Sequence, residues 1–158
     1  MTAWEPIDAA NHREALALAV HPAQEHFVAG HTPLAAIGMA KALVRPGGWH
    51  VEPLGLRAGD GLVGFACVCF HMGRPGERRI IHFFIDRRFQ GRGYGRAGME
   101  ALLSRIAAES PGCRWITLTA HRENLPARAL YERLGFAADG PAEDDELPYR
   151  LHLERGLA

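Results

Sequence analysis

Residues 85–96 read Ile85-Asp86-Arg87-Arg88-Phe89-Gln90-Gly91-Arg92-Gly93-Tyr94-Gly95-Arg96. Before them lies a short apolar run, Arg79–Ile85, the pattern of a central strand buried on both faces. After them Met99, Leu102, Leu103 and Ile106 recur at i, i+3, i+4 and i+7, the stripe of an amphipathic helix. Pro111-Gly112 stops that helix, and Arg114–Ala120 reads as a further strand. Strand, helix and strand in this order require a parallel pair joined by a crossover. The glycine-rich stretch therefore enters a helix N-terminus, where unpaired N–H groups and the helix dipole favour an anion. Glycines at 91, 93 and 95 remove side chains that would hold a ligand off the backbone, and Arg87, Arg88, Arg92 and Arg96 add charge. Together these features read as a phosphate or pyrophosphate cradle. The plain alternative is a tight glycine turn without a ligand.

Two common phosphate motifs do not fit. A P-loop ends in Gly-Lys-Ser/Thr, and here Gly95-Arg96-Ala97 stands instead. The dinucleotide fingerprint needs a third glycine where Arg96 stands and an acidic residue near Ala120-His121.

Outward from this unit, Trp4–Ile7 reads as a first strand. Asp8 reads as the N-cap of a helix to about Val20, broken by His21-Pro22. Thr32-Pro33 reads as the start of a second helix to about Val44. Strands are expected over Trp49–Arg57 and Leu62–Met72, with Ala58–Gly61 as the hairpin loop between them. Asn124 caps a last helix with Pro126 in its first turn, and Gly135 ends it. Two final strands, near Phe136–Asp139 and Leu147–Leu153, flank an acidic loop. The order β-α-α-β-β-β-α-β-α-β-β gives an α/β (α+β) chain: a mixed central sheet of about seven strands with helices on both faces.

The 158 residues suit a single domain spanning 1–158, with 47% hydrophobic and 23% charged residues. Eighteen basic residues balance eighteen acidic ones, which argues against a general nucleic-acid or anionic-membrane surface. Lys41 is the only lysine, a bias that composition alone can explain. No apolar run is long enough to span a membrane, and no signal peptide is read at Met1–Ile7. Cys67, Cys69 and Cys113, odd in number and without C-x-x-C spacing, suggest reduced thiols and a cytoplasmic protein. Nine histidines show no metal-ligand spacing, so no metal is expected. Ser104 and Ser110 lie in no nucleophile elbow.

Gln90-x-x-Gly93-x-Gly95 resembles the Q/R-x-x-G-x-G/A signature of the GCN5-related N-acetyltransferases (GNAT). Asn124, Ala127 and Tyr131, followed by Gly135-Phe136, resemble that family's second signature, and the element order matches throughout. Residues 85–95 are closest to the version found in bacterial diamine and polyamine acetyltransferases. Val20–Ala29 is similar to the same subgroup, from which His82 and His31 depart.

The resemblance implies the acyl-CoA N-acyltransferase fold and an N-acetyltransferase with acetyl-CoA as co-substrate. Phe83, Phe84, Ile85, Gln90, Gly91, Arg92, Gly93, Tyr94, Gly95, Arg96, Asn124 and Ala127 would hold it. A small primary amine, of the diamine or polyamine kind, would attack the thioester directly, with Tyr131 as general acid. Three residues are candidates for the base: His82, because histidine titrates near neutrality, Glu25 acting through water, and His121. Glu25 and His121 are substrate-binding candidates, and Glu143, Asp144, Asp145 and Glu146 form an acidic cluster able to attract a cation. A homodimer is compatible with the family. Protein N-termini, lysines or aminoglycosides are alternative acceptors, and a non-catalytic acyl-CoA-binding regulatory module is the rival of another class.

Overall fold

The computed structural model describes residues 1–153. Strands β1 (Thr2–Pro6), β2 (His50–Ala58), β3 (Gly61–Phe70), β4 (Glu77–Ile85), β5 (Trp115–His121), β6 (Ala137–Ala138) and β7 (Glu146–His152) form one mixed sheet in the order β1-β2-β3-β4-β5-β7-β6. Helices α1 (His12–Ala17), α2 (Glu25–Val28), α3 (Leu34–Val44), α4 (Tyr94–Glu109) and α5 (Leu125–Arg133) complete the fold. The expected parallel pair is β4–β5, and every other pairing is antiparallel.

Alternation along β3 sorts the core. Phe65, Cys67 and Cys69 pack with Ala15, Leu18, Leu34 and Ala35 from α1 and α3 and the loop between them. Ala66 points the other way, into a cluster with Met99, Leu102 and Ile106 of α4. Helix α3 lies so close to β3 that a Cβ at Gly38 would sit 2.6 Å from Cys67 Sγ. The three cysteines are free and buried. Among the described residues no helix is long and apolar enough to cross a membrane.

The first helix departs from the sequence reading. It begins at His12 and ends at Ala17, where a helix capped by Asp8 and running to about Val20 is expected. Asp8 Oδ1 instead accepts from the N–H groups of Ala10 and Asn11, an Asx turn that delays the helix, and Asn11 is the N-cap. Thr32 likewise caps nothing, because Pro33 itself is the N-cap of α3. A short helix over Glu25–Val28 was not legible in so polar a segment. At the last helix the expectation holds: Gly135, with φ 97, ends α5, and its N–H and that of Phe136 satisfy the Glu132 and Tyr131 carbonyls.

Candidate functional site

Strands β4 and β5 pair only at Glu77–Trp115, Arg78–Ile116 and Arg79–Thr117. Beyond these three pairs they diverge, and among the described residues the β5-facing edge of Ile80–Ile85 has no strand partner. The gap is a cleft of about 500 Å³ lined by Ile80–Ile85, Leu118–Ala120, Gly91, Gly95 and the α5 face of Asn124, Ala127 and Tyr131. Its size is that of a small-molecule site.

The loop at one end is held by Asp86, 1% exposed. Its carboxylate accepts from Ala19 N–H (2.9 Å), Arg88 N–H (2.9 Å) and Arg88 Nε (2.8 Å). Burial alone would raise the Asp86 pKa, but these donors outweigh it and hold the carboxyl below the ordinary value of 3.8. The stability it contributes is therefore present above that value and is lost as pH falls through the lowered one. Asp86→Asn is expected to destabilise the fold by about 1–3 kcal/mol at neutral pH, because an amide NH₂ faces backbone donors. Urea denaturation at pH 7 and pH 3 checks this, and the gap between variant and parent should narrow at the lower pH.

The loop glycines fit a bound phosphate. Gly91 and Gly93 have φ values of 74 and 86, and a Cβ on either would meet nothing within 4 Å. Gly95 has ordinary helical backbone, and a Cβ there would approach nothing closer than 3.9 Å. Among the described residues nothing demands glycine at 95, and a glycine there leaves room for a ligand against the N-terminus of α4. The arginine field is weaker than the sequence suggests. Arg88 is committed to Asp86, and Arg96 pairs with Glu100 at 2.9 Å. Arg92 sits over the Phe89 ring.

Of the residues singled out from sequence, His82, Phe83, Phe84, Ile85, Gln90, Gly91, Gly95, Asn124, Ala127 and Tyr131 line the cleft. Gln90 also exchanges amide hydrogen bonds with Gln24 and donates to the Ile85 carbonyl. Asn124 caps α5 by accepting from Ala127 N–H, leaving its amide NH₂ available. Tyr94 packs edge-on to Phe89. Arg92, Gly93, Tyr94, Arg96, Glu25 and His121 lie outside the cleft lining; Phe27, which lines it, packs at a tilt against His121.

Lining residues not singled out as site residues include Gln24, Phe27, Val28 and Lys41. The acidic cluster separates in space. Asp145 pairs with Arg122 at 3.0 Å, while Glu146 faces the cleft. His26, His121 and Glu123 converge within 4.8 Å despite their sequence separation. His121 Nδ1 accepts from Glu123 N–H, which places the ring proton on Nε2 and leaves no free lone pair for an ion.

His82 occupies a bulge. Phe65–Cys67 of β3 faces Ile81–Phe84, one residue more, and His82 takes the left-handed backbone with φ 55. Its Nδ1 lies 2.9 Å from the Val28 carbonyl and its Nε2 lies 2.9 Å from Lys41 Nζ. Burial lowers the His82 pKa, the Val28 carbonyl opposes this, and the Lys41 charge adds to it. The ring is therefore neutral at pH 7. Tyr131 is 5% exposed. Burial first, and the Glu146 charge second, push its phenol well above the ordinary tyrosine range.

A model of the acetyltransferase (GNAT) family matches residues 21–136. A spermine/spermidine N(1)-acetyltransferase of Bacillus subtilis is 34% identical over 96 residues, which are 58% of this chain and 62% of that protein. The match thus spans less than two thirds of the relative's length. Among solved structures, an aminoglycoside acetyltransferase in complex with coenzyme A superposes with a TM-score of 0.77 at 17% identity, covering 99% of this chain and 96% of that one. Spermidine N-acetyltransferase from Vibrio cholerae, in complex with CoA and spermine, gives 0.70 at 13% identity, covering 96% and 94%. With the family match extending over most of the cleft-forming elements, the chain belongs to the acetyltransferase (GNAT) family, whose co-substrate is acetyl-CoA.

Proposed function

We propose that the protein acetylates a small primary amine of the diamine or polyamine class. The observation that carries this reading is the convergence of the free β4 edge, the open glycine loop and Tyr131 on one cleft. Bound acetyl-CoA supplies the activated acetyl group as a thioester. The N–H groups of Gly91–Arg96 at the α4 N-terminus would accommodate the pyrophosphate, and the free edge at Phe83–Ile85 the pantetheine arm. Asn124 presents its amide NH₂ to the same cleft. Tyr131 keeps its proton at neutral pH and acts as the general acid. His82, neutral with its proton fixed on Nδ1, takes the amine's proton at Nε2, the atom that Lys41 Nζ occupies at 2.9 Å until an acceptor displaces it.

Glu146 supplies the negative charge on the acceptor side, and half-buried Glu25 lies on α2 beside the lining residues Phe27 and Val28. That polarity suits an ammonium, as does the likeness to a relative named for spermine and spermidine. A CoA-release assay tests the proposal with putrescine, spermidine, spermine, a lysine peptide, a free peptide N-terminus and an aminoglycoside. Release with the polyamines is expected. Release with none of the amines, in protein that binds acetyl-CoA, overturns the reading in favour of an acyl-CoA-binding module.

A further inference from the structure

The chain's single lysine is carried by the last turn of α3 into the cleft. Lys41 Nζ lies 2.9 Å from His82 Nε2. His82 Nδ1 is 2.9 Å from the Val28 carbonyl, which can only accept, so Nδ1 carries the ring proton and Nε2 turns its lone pair to Lys41. A primary amine is thus already held against a neutral imidazole, as an acceptor amine must be before it attacks a carbonyl. The bulge at His82 sets this geometry, and the next residues, Phe83–Ile85, form the free strand edge of the same cleft.

We infer that Lys41 is itself an acetyl acceptor: without an external amine, the protein moves one acetyl group from acetyl-CoA to Lys41 Nζ. The inference rests on the acetyl-CoA reading above. Lys41 enters as an ammonium and gives one proton to His82 Nε2, which passes it to solvent. The nitrogen lone pair then forms a bond to the acetyl carbonyl carbon. The C–S bond breaks and its electron pair stays on sulfur. A second proton leaves nitrogen as the amide forms, and sulfur gains one proton from the Tyr131 side of the cleft. The products are N-acetyl-Lys41, CoA thiol and one proton in solution.

The modification changes the cleft's charge. Among the described lining residues Lys41 is the one amine and Glu146 the one acid, so acetylating Lys41 leaves the carboxylate unopposed and favours a cationic acceptor.

The test incubates the full chain with acetyl-CoA and no amine, then reads intact mass and maps peptides. Calorimetry measures acetyl-CoA binding in parallel. One acetyl increment on Lys41 is expected, formed at least about tenfold faster than in the same chain unfolded in guanidinium. His82→Asn, whose side chain tolerates left-handed backbone, should slow it at least about tenfold, provided its circular dichroism matches the parent. If that variant does not fold, the native-against-unfolded comparison decides alone. Equal rates in native and unfolded chains overturn the inference, as does an unmodified Lys41 in native protein saturated with acetyl-CoA. Either result leaves the acetyltransferase reading intact. Native protein that does not bind acetyl-CoA overturns that reading, and the self-transfer with it.

Discussion

Tyr131→Phe lowers turnover with a polyamine acceptor by about 10²–10⁴-fold, the usual contribution of a positioned general acid. Acetyl-CoA affinity, read by calorimetry, should change by no more than roughly threefold. The contrast follows from what the side chain does. Its ring packs against Phe136 and Tyr149, with centroids 5.8 and 6.2 Å away, and phenylalanine retains that packing. Only the hydroxyl is lost. Because burial and Glu146 hold the phenol's pKa high, the hydroxyl is protonated throughout the neutral range and has a proton to give. Unchanged turnover would remove Tyr131 from the chemistry. An equal fall in affinity and turnover would assign it to cofactor binding instead.

Gly93→Val weakens acetyl-CoA binding by roughly 100-fold, measured by the same calorimetry. Position 93 is the N-cap of α4 and has φ 86, which costs a β-branched residue about 1–3 kcal/mol or drives the loop out of shape. The space where a Cβ would go is empty of protein atoms, so a side chain there enters the volume in front of the helix N-terminus. Retained affinity would show that this loop is a turn and not a cradle. Gly93 itself belongs to none of the buried clusters, so the urea midpoint should fall only modestly.

The crossover unit was legible because its signals are local. The apolar run of β4, the stripe of α4 and the strand after Pro111-Gly112 each follow from periodicity, and the glycines mark where backbone must be exposed. The same kind of signal gave the last helix, while Asn124, Ala127 and Tyr131 were singled out on it by the resemblance to the family's second signature. The acceptor side was not. Lys41, Val28 and His82 meet only through the bulge in β4 and the packing of α2 and α3, and no spacing in sequence encodes that contact. Glu146 looked like one of four equivalent acids, yet β7 pairing turns it inward while Asp145 goes to Arg122. The first helix was misplaced because Asp8 satisfies an Asx turn as readily as a cap.

The short β4–β5 ladder has a mechanical meaning as well. The ladder between β4 and β5 has three residue pairs, against nine between β2 and β3. Within the sheet the two halves meet along a short seam, backed by the core that holds Ile80, Met99 and Ile116 together. A ligand that lies along the open edge acts as a splint across that seam, so occupancy should stiffen the whole sheet and not merely fill a hole. Amide exchange in β5 and β7 would then report on a molecule bound beside β4.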